Sequence, residues 1–274
     1  PFDWVGATIF AAWAVALVVG LKNLPDALGF AALAVASGLL LLFLRQQSRN
    51  PEPLIRLQLL HNNRLFSFSL ATSGLMYASA YSLAFLLSLY LQYAQGLSAL
   101  DAGRVILVQA FTMALIAPFA GRLSDSVEPR ILSTLGCLCC AGAFLMLSQV
   151  GFTTGVGYIA ASQCLMGVGF GLFSTPNNNA VMGAVPVDDV GVASASVNLA
   201  RVSGNLVGIS LVNLLVQQLL GDTVITESRY PALLSTVQWA MTASACMTLL
   251  AALFSASRGR MLEGRASASR LDQV

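Results

Sequence analysis

Eight long runs of uncharged, mostly apolar residues make up most of this 274-residue chain. Each run approaches or exceeds the ~20 residues that an α-helix needs to cross the hydrocarbon core of a bilayer. The runs are too long and too continuous for the ten-residue alternating segments of a membrane β-barrel. The sequence therefore predicts an all-α, polytopic membrane protein with eight transmembrane helices. By hydropathy the spans cover roughly residues 4–21, 27–44, 66–92, 105–121, 131–150, 155–184, 190–216 and 233–257.

Composition supports the bilayer as the solvent of this chain. Apolar residues form 57% of the sequence and charged residues only 9%, against about a quarter in soluble domains. The net charge of +2 provides no basic surface of the kind that nucleic acid requires. We therefore exclude a water-soluble protein and a nucleic-acid-binding protein.

The basic residues predict the orientation in the membrane. If residue 1 is cytoplasmic, ten cations fall on the cytoplasmic side and three on the outer side, with one inside a span. Such a bias follows the positive-inside rule and predicts a multi-pass protein of the cell membrane, with both ends cytoplasmic. The ten are Arg45, Arg49, Arg56, Arg64, Arg122, Arg130, Arg258, Arg260, Arg265 and Arg270, and the three are Lys22, Arg104 and Arg229.

Polarity divides the chain into segments. The first two spans contain almost nothing polar, so we expect residues 1–45 to be two lipid-facing helices. Residues 46–64 mix charged and apolar residues, which predicts a cytoplasmic loop with a short interfacial helix. Residues 65–257 hold the other six spans, and residues 258–274 form a cytoplasmic tail. Because the sequence starts at Pro1 with an apolar run and no Met, we expect it to begin inside a longer protein.

Three of the last six spans carry polar residues three or four positions apart, on one helix face each. Helices that line a polar cavity show this pattern, whereas helices surrounded by lipid do not. An alternative is that Ser, Gly and Asn only tighten helix contacts, as the G-x-x-x-G pairs Gly167–Gly171 and Gly204–Gly208 allow. The predicted substrate cavity consists of Tyr77, Tyr81, Gln109, Gln163, Asn178 and Asn198.

Two further features of these spans stand out. Asn177, Asn178 and Asn179 follow Pro176 directly, and three amides in lipid would be so costly that we expect them to face protein or water. Arg201 lies near mid-membrane, where a cation is expensive and by default functional. No Asp or Glu lies in the middle of any span.

The countercharge of Arg201 therefore has three candidate sources. These are a part of the molecule outside this chain, a bound ligand, or amides such as Asn198 and Asn205. We predict a gating or intramembrane-charge role for Arg201 and Asn205, and a purely structural role stays open.

Nothing in the sequence points to catalysis. The five cysteines lie in apolar runs without a C-x-x-C pair, and we expect them to be buried small residues rather than metal ligands. There is one histidine and no phosphate-binding loop. The sequence therefore predicts no enzyme, no catalytic residue, no metal and no cofactor.

The loop between the fourth and fifth spans reads Pro118 to Arg130 and contains Gly121, Asp125 and Arg130. The glycine allows helices to approach, and the two charges can form a latch at the cytoplasmic face. A tight turn without a latch is the alternative.

The same loop resembles the signature G-x-L-[AS]-D-x-x-G-x-[KR]-[KR] of the major facilitator superfamily. Gly121, Leu123, Ser124, Asp125 and Arg130 match it, while Glu128 replaces the second glycine. Phe2 to Gly6, Gly169 to Pro176, and the later Pro186, Gly191, Ala193, Ser194, Arg201, Gly204 and Gly208 are similar to the seventh, twelfth and thirteenth helices of its fourteen-helix drug:proton antiporter branch.

This resemblance covers residues 2–257. It implies two additional central helices followed by the six-helix C-terminal bundle, and a missing N-terminal six-helix half of the same protein. It also implies multidrug efflux from the bacterial inner membrane, with a small-molecule substrate and protons as partners. The carboxylate that couples transport to protons would lie in the missing half. A uniporter or metabolite exporter, and a non-transporting assembly or receptor subunit, remain alternatives.

Overall fold

The computed structural model describes residues 3–51, 53–124, 126–221 and 226–259, without the side chains of residues 81–83. All regular structure in these residues is helical. The α-helices are α1 (Trp4–Lys22), α2 (Ala27–Arg49), α3 (Leu57–Asn62), α4 (Arg64–Leu89), α5 (Ala99–Leu123), α6 (Pro129–Leu147), α7 (Val156–Gly183), α8 (Val190–Leu219) and α9 (Tyr230–Ser257).

Eight of these helices, all but the short α3, are long and apolar enough to cross a membrane. The prediction of an all-α protein with eight spans is therefore confirmed. The observed helices extend a few residues past several predicted boundaries, because polar and charged residues such as Arg49 and Asp101 continue the helices beyond the apolar runs.

Local chemistry sets several helix ends. The side chains of Asp3, Asn63 and Ser98 each accept a hydrogen bond from a backbone N–H of the first turn of α1, α4 and α5. These caps satisfy donors that a helix N-terminus leaves free. A π-helical turn, Tyr90–Ala94, extends α4, and Gly96 then reverses the chain with a φ of +65°. Glycine adopts this left-handed conformation without strain.

The helices α4 to α9 form one bundle. The helices α4 and α7 contact each other at its centre, and α5 and α8 flank this pair, each contacting both. The helices α6 and α9 pack together behind them. We call the side formed by α4, α5, α7 and α8 the front face. The helices α1 and α2 form a hairpin that meets the bundle mainly through α1 and α8.

The two ends of the bundle differ in charge. We call the end that holds Asp3, Arg56, Asp189 and Arg258 the arginine-rich end. Here the start of α1 bonds to the end of α2, and the segment after α2 pairs with the start of α8. At the opposite end, Tyr90 donates a hydrogen bond to the carbonyl oxygen of Gly151.

Close helix contacts depend on glycines. A Cβ atom added at Gly204 would lie 2.2 Å from the carbonyl oxygen of Gly74, between α8 and α4. Added at Gly167 or Gly171, it would lie 2.5 Å or 2.8 Å from atoms of α5. These glycines therefore pack helices together, as the alternative interpretation of the small residues proposed.

The expectation of uniformly buried cysteines holds for two of the five, and Cys139 is only half-buried. Cys137 and Cys140 are buried, whereas Cys164 and Cys246 are exposed on the surfaces of α7 and α9. An apolar run in a membrane helix has both a protein-facing and an outward-facing side, so composition alone does not determine burial.

Candidate functional site

The two flanks of α8 differ in chemistry. Ser194, Asn198, Arg201 and Asn205 follow each other at steps of four, three and four residues and share one flank. The other flank, with Ala200, Ser203, Gly204 and Val207, borders an apolar groove of about 430 Å³ against α4 and α9. The polar flank is turned toward α7.

Arg201 is the centre of the polar flank. Its Nη2 donates a hydrogen bond to Oδ1 of Asn178 in α7 at 2.9 Å, and its guanidinium carbon lies 5.1 Å from the ring centroid of Tyr77 in α4. We call Tyr77, Asn178 and Arg201 the Arg201 cluster. The amide that binds Arg201 therefore comes from a neighbouring helix, whereas the sequence suggested Asn198 and Asn205 of its own helix.

Depth makes this cluster energetically costly. Arg201 is eleven residues beyond Val190, the first residue of α8, which is about 17 Å along the helix. Insertion of a cation at the bilayer centre costs about 2.5–3.5 kcal/mol. One neutral amide and one aromatic face offset only part of that cost. A half-buried cation held in this way is a candidate for ligand binding.

Aromatic residues support the cluster from behind. The Tyr77 ring meets the Phe170 ring edge-to-face with centroids 6.2 Å apart, and Phe170 meets Phe173 in the same way at 6.3 Å. Phe170 and Phe173 are buried. This packing restricts Tyr77, and through it the guanidinium, to a narrow range of positions.

The other predicted cavity residues are distributed along the bundle. Asn198 is exposed and Gln109 is half-buried. Gln163 has no exposed surface, and neither atom of its amide makes a hydrogen bond. The side chain of Tyr81 lies outside the described residues. The structure thus brings Tyr77, Asn178 and Arg201 together, and a cavity that includes the other residues stays a prediction.

The three consecutive asparagines point to three different partners. Asn177 donates to the carbonyl oxygen of Ser69 and to the hydroxyl of Ser73, at 3.2 and 2.9 Å. Asn178 accepts from Arg201, and Asn179 donates to the hydroxyl of Ser124 at 2.8 Å. Each of the three amides therefore bonds to a protein group, in agreement with the expectation that they face protein or water rather than lipid.

Arg258 is a buried charge that the sequence did not identify. It was expected to begin a tail, but its side chain is only 1% exposed. Its guanidinium donates to Asn177 Oδ1 at 2.6 Å and to the hydroxyls of Ser69 and Ser133 at 3.1 and 3.2 Å. Burial lowers the pKa of Arg258 to about 10, so the side chain stays charged at neutral pH.

A sequence signal for Arg258 existed, although it was indirect. The serine and asparagine residues that bind it lie near the same end of α4, α6 and α7, where they would be unsatisfied in an apolar interior. Their common partner is the residue that directly follows α9, and the spacing of residues along the sequence cannot show which residue fills that role.

The predicted latch is only partly described. Asp125 lies outside the described residues, and Arg130 is half-buried in the first turn of α6. Gly121 is close to Thr175 of α7, and its carbonyl oxygen accepts a hydrogen bond from Ser124. Ser124 also accepts a hydrogen bond from Asn179, which attaches the end of α5 to α7. The charge pairing stays a prediction.

A second attachment joins the segment after α2 to the bundle. Arg56 forms an ion pair with Asp189, the residue before α8, and Asn63 donates to the carbonyl oxygen of Ala184 at 2.6 Å. The sequence assigned no role to Asp189. These contacts connect the segment that follows the α1–α2 hairpin to the residues just before α8.

Asp3 links the two helices of the hairpin at the same end. Its carboxylate accepts hydrogen bonds from the amides of Gln46 and Gln47 and from the backbone of Gly6. Burial would raise the pKa of Asp3, but these hydrogen bonds outweigh it and the pKa lies below the usual value. Gln47 also accepts from the backbone N–H of Ile55 at 3.0 Å.

Metal binding has no support in the part of the chain that the structure describes. There, no group of three or more His, Cys, Asp or Glu residues could hold a metal ion.

Comparison with known proteins shows the family. The model of the Major Facilitator Superfamily matches residues 4–209. The chain belongs to the Major Facilitator Superfamily. This is a family of transporters and not of enzymes, so the prediction that the chain is not an enzyme is confirmed, and the protein is a multi-pass membrane protein.

Individual superfamily members match with moderate identity. The uncharacterized transporter YebQ of Escherichia coli strain K12 is 31% identical over 64% of this chain and 38% of its own length. The riboflavin transporter RibZ of Clostridioides difficile is 29% identical over 68% and 40%. The multidrug efflux pump LfrA of Mycolicibacterium smegmatis is 28% identical over 76% and 42%. The chain thus spans about two fifths of the length of these curated relatives.

Proposed function

We propose that this chain is the C-terminal part of a secondary transporter that exports small amphipathic compounds by proton antiport and alternating access. The observation that carries the proposal is the Arg201 cluster, a half-buried cation deep in the bundle, on the front face. A cation at this depth is justified where water or a substrate reaches it. The match to a multidrug efflux pump supports the direction of transport and the class of substrate.

In this proposal the front face meets a further part of the same protein. Six preceding helices would form the other half of a fourteen-helix transporter, and the substrate would bind between the halves. The limited share of each relative that the chain covers supports this. Because the spans of this chain contain no mid-membrane carboxylate, the proton-coupling acid would belong to those helices.

The proposed organisation assigns residues 1–45 to two additional lipid-facing helices and residues 46–64 to a loop with the interfacial helix α3. Residues 65–257 form the transporter bundle, and residues 258–274 follow it. The arginine-rich end would be cytoplasmic by the positive-inside rule. The bacterial sources of the relatives support the bacterial inner membrane as its location.

A metabolite transporter is the second candidate. The match to a riboflavin transporter favours it, because riboflavin is a metabolite.

Dye efflux from cells tests the proposal. Cells that express the complete protein containing this chain are loaded with a fluorescent amphipathic dye, and its loss is followed with and without a protonophore. We expect rapid efflux that the protonophore abolishes. Efflux that persists at the same rate after the protonophore would exclude proton antiport and favour a uniporter. Sequencing upstream of residue 1 is the parallel check, since six further spans with a mid-membrane Asp or Glu are expected.

A further inference from the structure

We infer that the Arg201 cluster binds an anionic group of the transported molecule, such as a carboxylate or sulfonate on a small amphipathic compound. This inference rests on the proposed function and specifies its substrate class. The guanidinium of Arg201 has N–H donors that no described acceptor binds.

Arg201 has more donors than described acceptors. A guanidinium carries five N–H donors in a planar fork. In the described residues, one of them is used, by Nη2 toward Asn178. The Nε atom is buried without a partner, and the side chain as a whole is half-buried rather than enclosed. The Nη1 group, which has no acceptor in the described residues, therefore keeps N–H donors that can bind a carboxylate or sulfonate.

The surroundings leave the positive charge of Arg201 in place. Asn178 is a neutral amide and Tyr77 offers the face of a ring, so both position the guanidinium without neutralising it. By sequence, the four helices of the front face contain one acidic residue, Asp101, which lies in the first turn of α5 and pairs with Arg104. The interior of this half of the protein is therefore positive.

A positive interior selects the charge of its ligand. At membrane depth the low dielectric constant strengthens an ion pair relative to water, provided that the pair is well bonded. An anion would complete the hydrogen bonding of Arg201, whereas a cation would be repelled. The competing explanation for the unused donors is that Arg201 pairs with an acidic side chain of the preceding helices. The test must distinguish this pairing from ligand binding.

Two dyes with the same xanthene scaffold and opposite charge provide the test. Binding of fluorescein, an anion, and of rhodamine 123, a cation, to the purified complete protein is measured by fluorescence anisotropy. We expect fluorescein to bind the unaltered protein. Arg201→Gln should weaken fluorescein binding about ten- to a hundredfold, because it removes charge-assisted hydrogen bonds. Arg201→Lys, which keeps the charge, should weaken it less, and rhodamine 123 should not bind more weakly to either variant.

Asn178→Asp serves as a second variant, since it keeps Arg201 and neutralises the cluster with a side chain of the same shape. It should also weaken fluorescein binding, with an unchanged melting temperature or a higher one. Equal losses for both dyes, or full fluorescein binding by Arg201→Gln, would overturn the inference. Failure of the unaltered protein to bind fluorescein would also overturn it, while protonophore-sensitive efflux of rhodamine 123 would leave the proposed function standing.

Discussion

At the scale of residues, two arginines bind consecutive asparagines of α7 in different environments. Arg201 reaches Asn178 from α8, and Arg258 reaches Asn177 from the C-terminal end of α9. Among the described residues, Arg201 is half-buried and makes one hydrogen bond, whereas Arg258 is 1% exposed and makes three, although the Nε atom of each is without a partner. We therefore assign ligand binding to Arg201 and a structural role to Arg258, which joins α9 to α4, α6 and α7.

Replacement of Arg258 tests the structural role. Arg258→Ala removes three hydrogen bonds from a charged donor and leaves their acceptors unsatisfied, so we expect a loss of about 2–3 kcal/mol of stability. The measurement is thermal unfolding of the purified complete protein. Arg122→Ala, which removes an exposed arginine at the same end, is the control and should change little. A similar melting temperature for both variants would show that Arg258 does not anchor the bundle.

The contribution of Arg258 to the free energy of unfolding should not change with pH in the neutral range. Its pKa of about 10 in the folded protein lies below the ordinary value of an arginine, because burial disfavours the charge. The unfolded chain therefore holds more protons than the folded protein only above about pH 10, and the free energy of unfolding gains a pH-dependent contribution from Arg258 only there. The difference between Arg258→Ala and the unaltered protein should be the same at pH 6 and pH 8.

Elements were more predictable from the sequence than their contacts. Uncharged length alone located the eight spans, since the bilayer imposes that length. Helix periodicity placed Tyr77, Asn178 and Arg201 on polar faces, but not in one cluster, because contacts between helices depend on how the helices are rotated and offset. For the same reason Arg258 was missed, and Asn198 and Asn205 were suggested as partners of Arg201 instead of Asn178.

Glycine placement offers a test at the scale of elements. Gly204→Ala would bring a Cβ atom to 2.2 Å from the carbonyl oxygen of Gly74, so α4 and α8 must separate. We expect a loss of about 1–3 kcal/mol, the usual cost of overpacking, measured as a lower unfolding temperature. In the same helix, Gly191→Ala is the control, because a Cβ atom there meets nothing within 4 Å. Equal stability of the two variants would contradict the close α4–α8 contact.

At the scale of the whole molecule, the two ends of the helix bundle differ in charge and in the contacts that they make. Arginines collect at one end, where hydrogen bonds and an ion pair connect the α1–α2 hairpin, the segment after α2 and the start of α8. By the positive-inside rule, the proposed topology places this arginine-rich end in the cytoplasm.

Cysteine labelling tests the orientation. With the five native cysteines replaced, single cysteines are introduced by Ser126→Cys at the arginine-rich end and Thr153→Cys at the opposite end, both exposed positions. A membrane-impermeant maleimide applied to spheroplasts should label the Thr153→Cys protein, and the Ser126→Cys protein only after the membrane is opened. The reverse pattern would invert the proposed topology.

The central claim is that the polar flank of α8 lines a water-filled substrate path, and a matched pair of cysteines tests it most directly. Asn198 and Leu249 are both exposed, and each lies eight residues from the arginine-rich end of its helix, α8 or α9. A thiol reacts with a water-soluble reagent as the thiolate, which does not form in lipid. In the complete protein, free of native cysteines, we predict that Asn198→Cys is labelled, that a transported dye slows the labelling, and that Leu249→Cys stays unlabelled. Equal labelling of both positions, or protection of neither by the dye, would contradict the account.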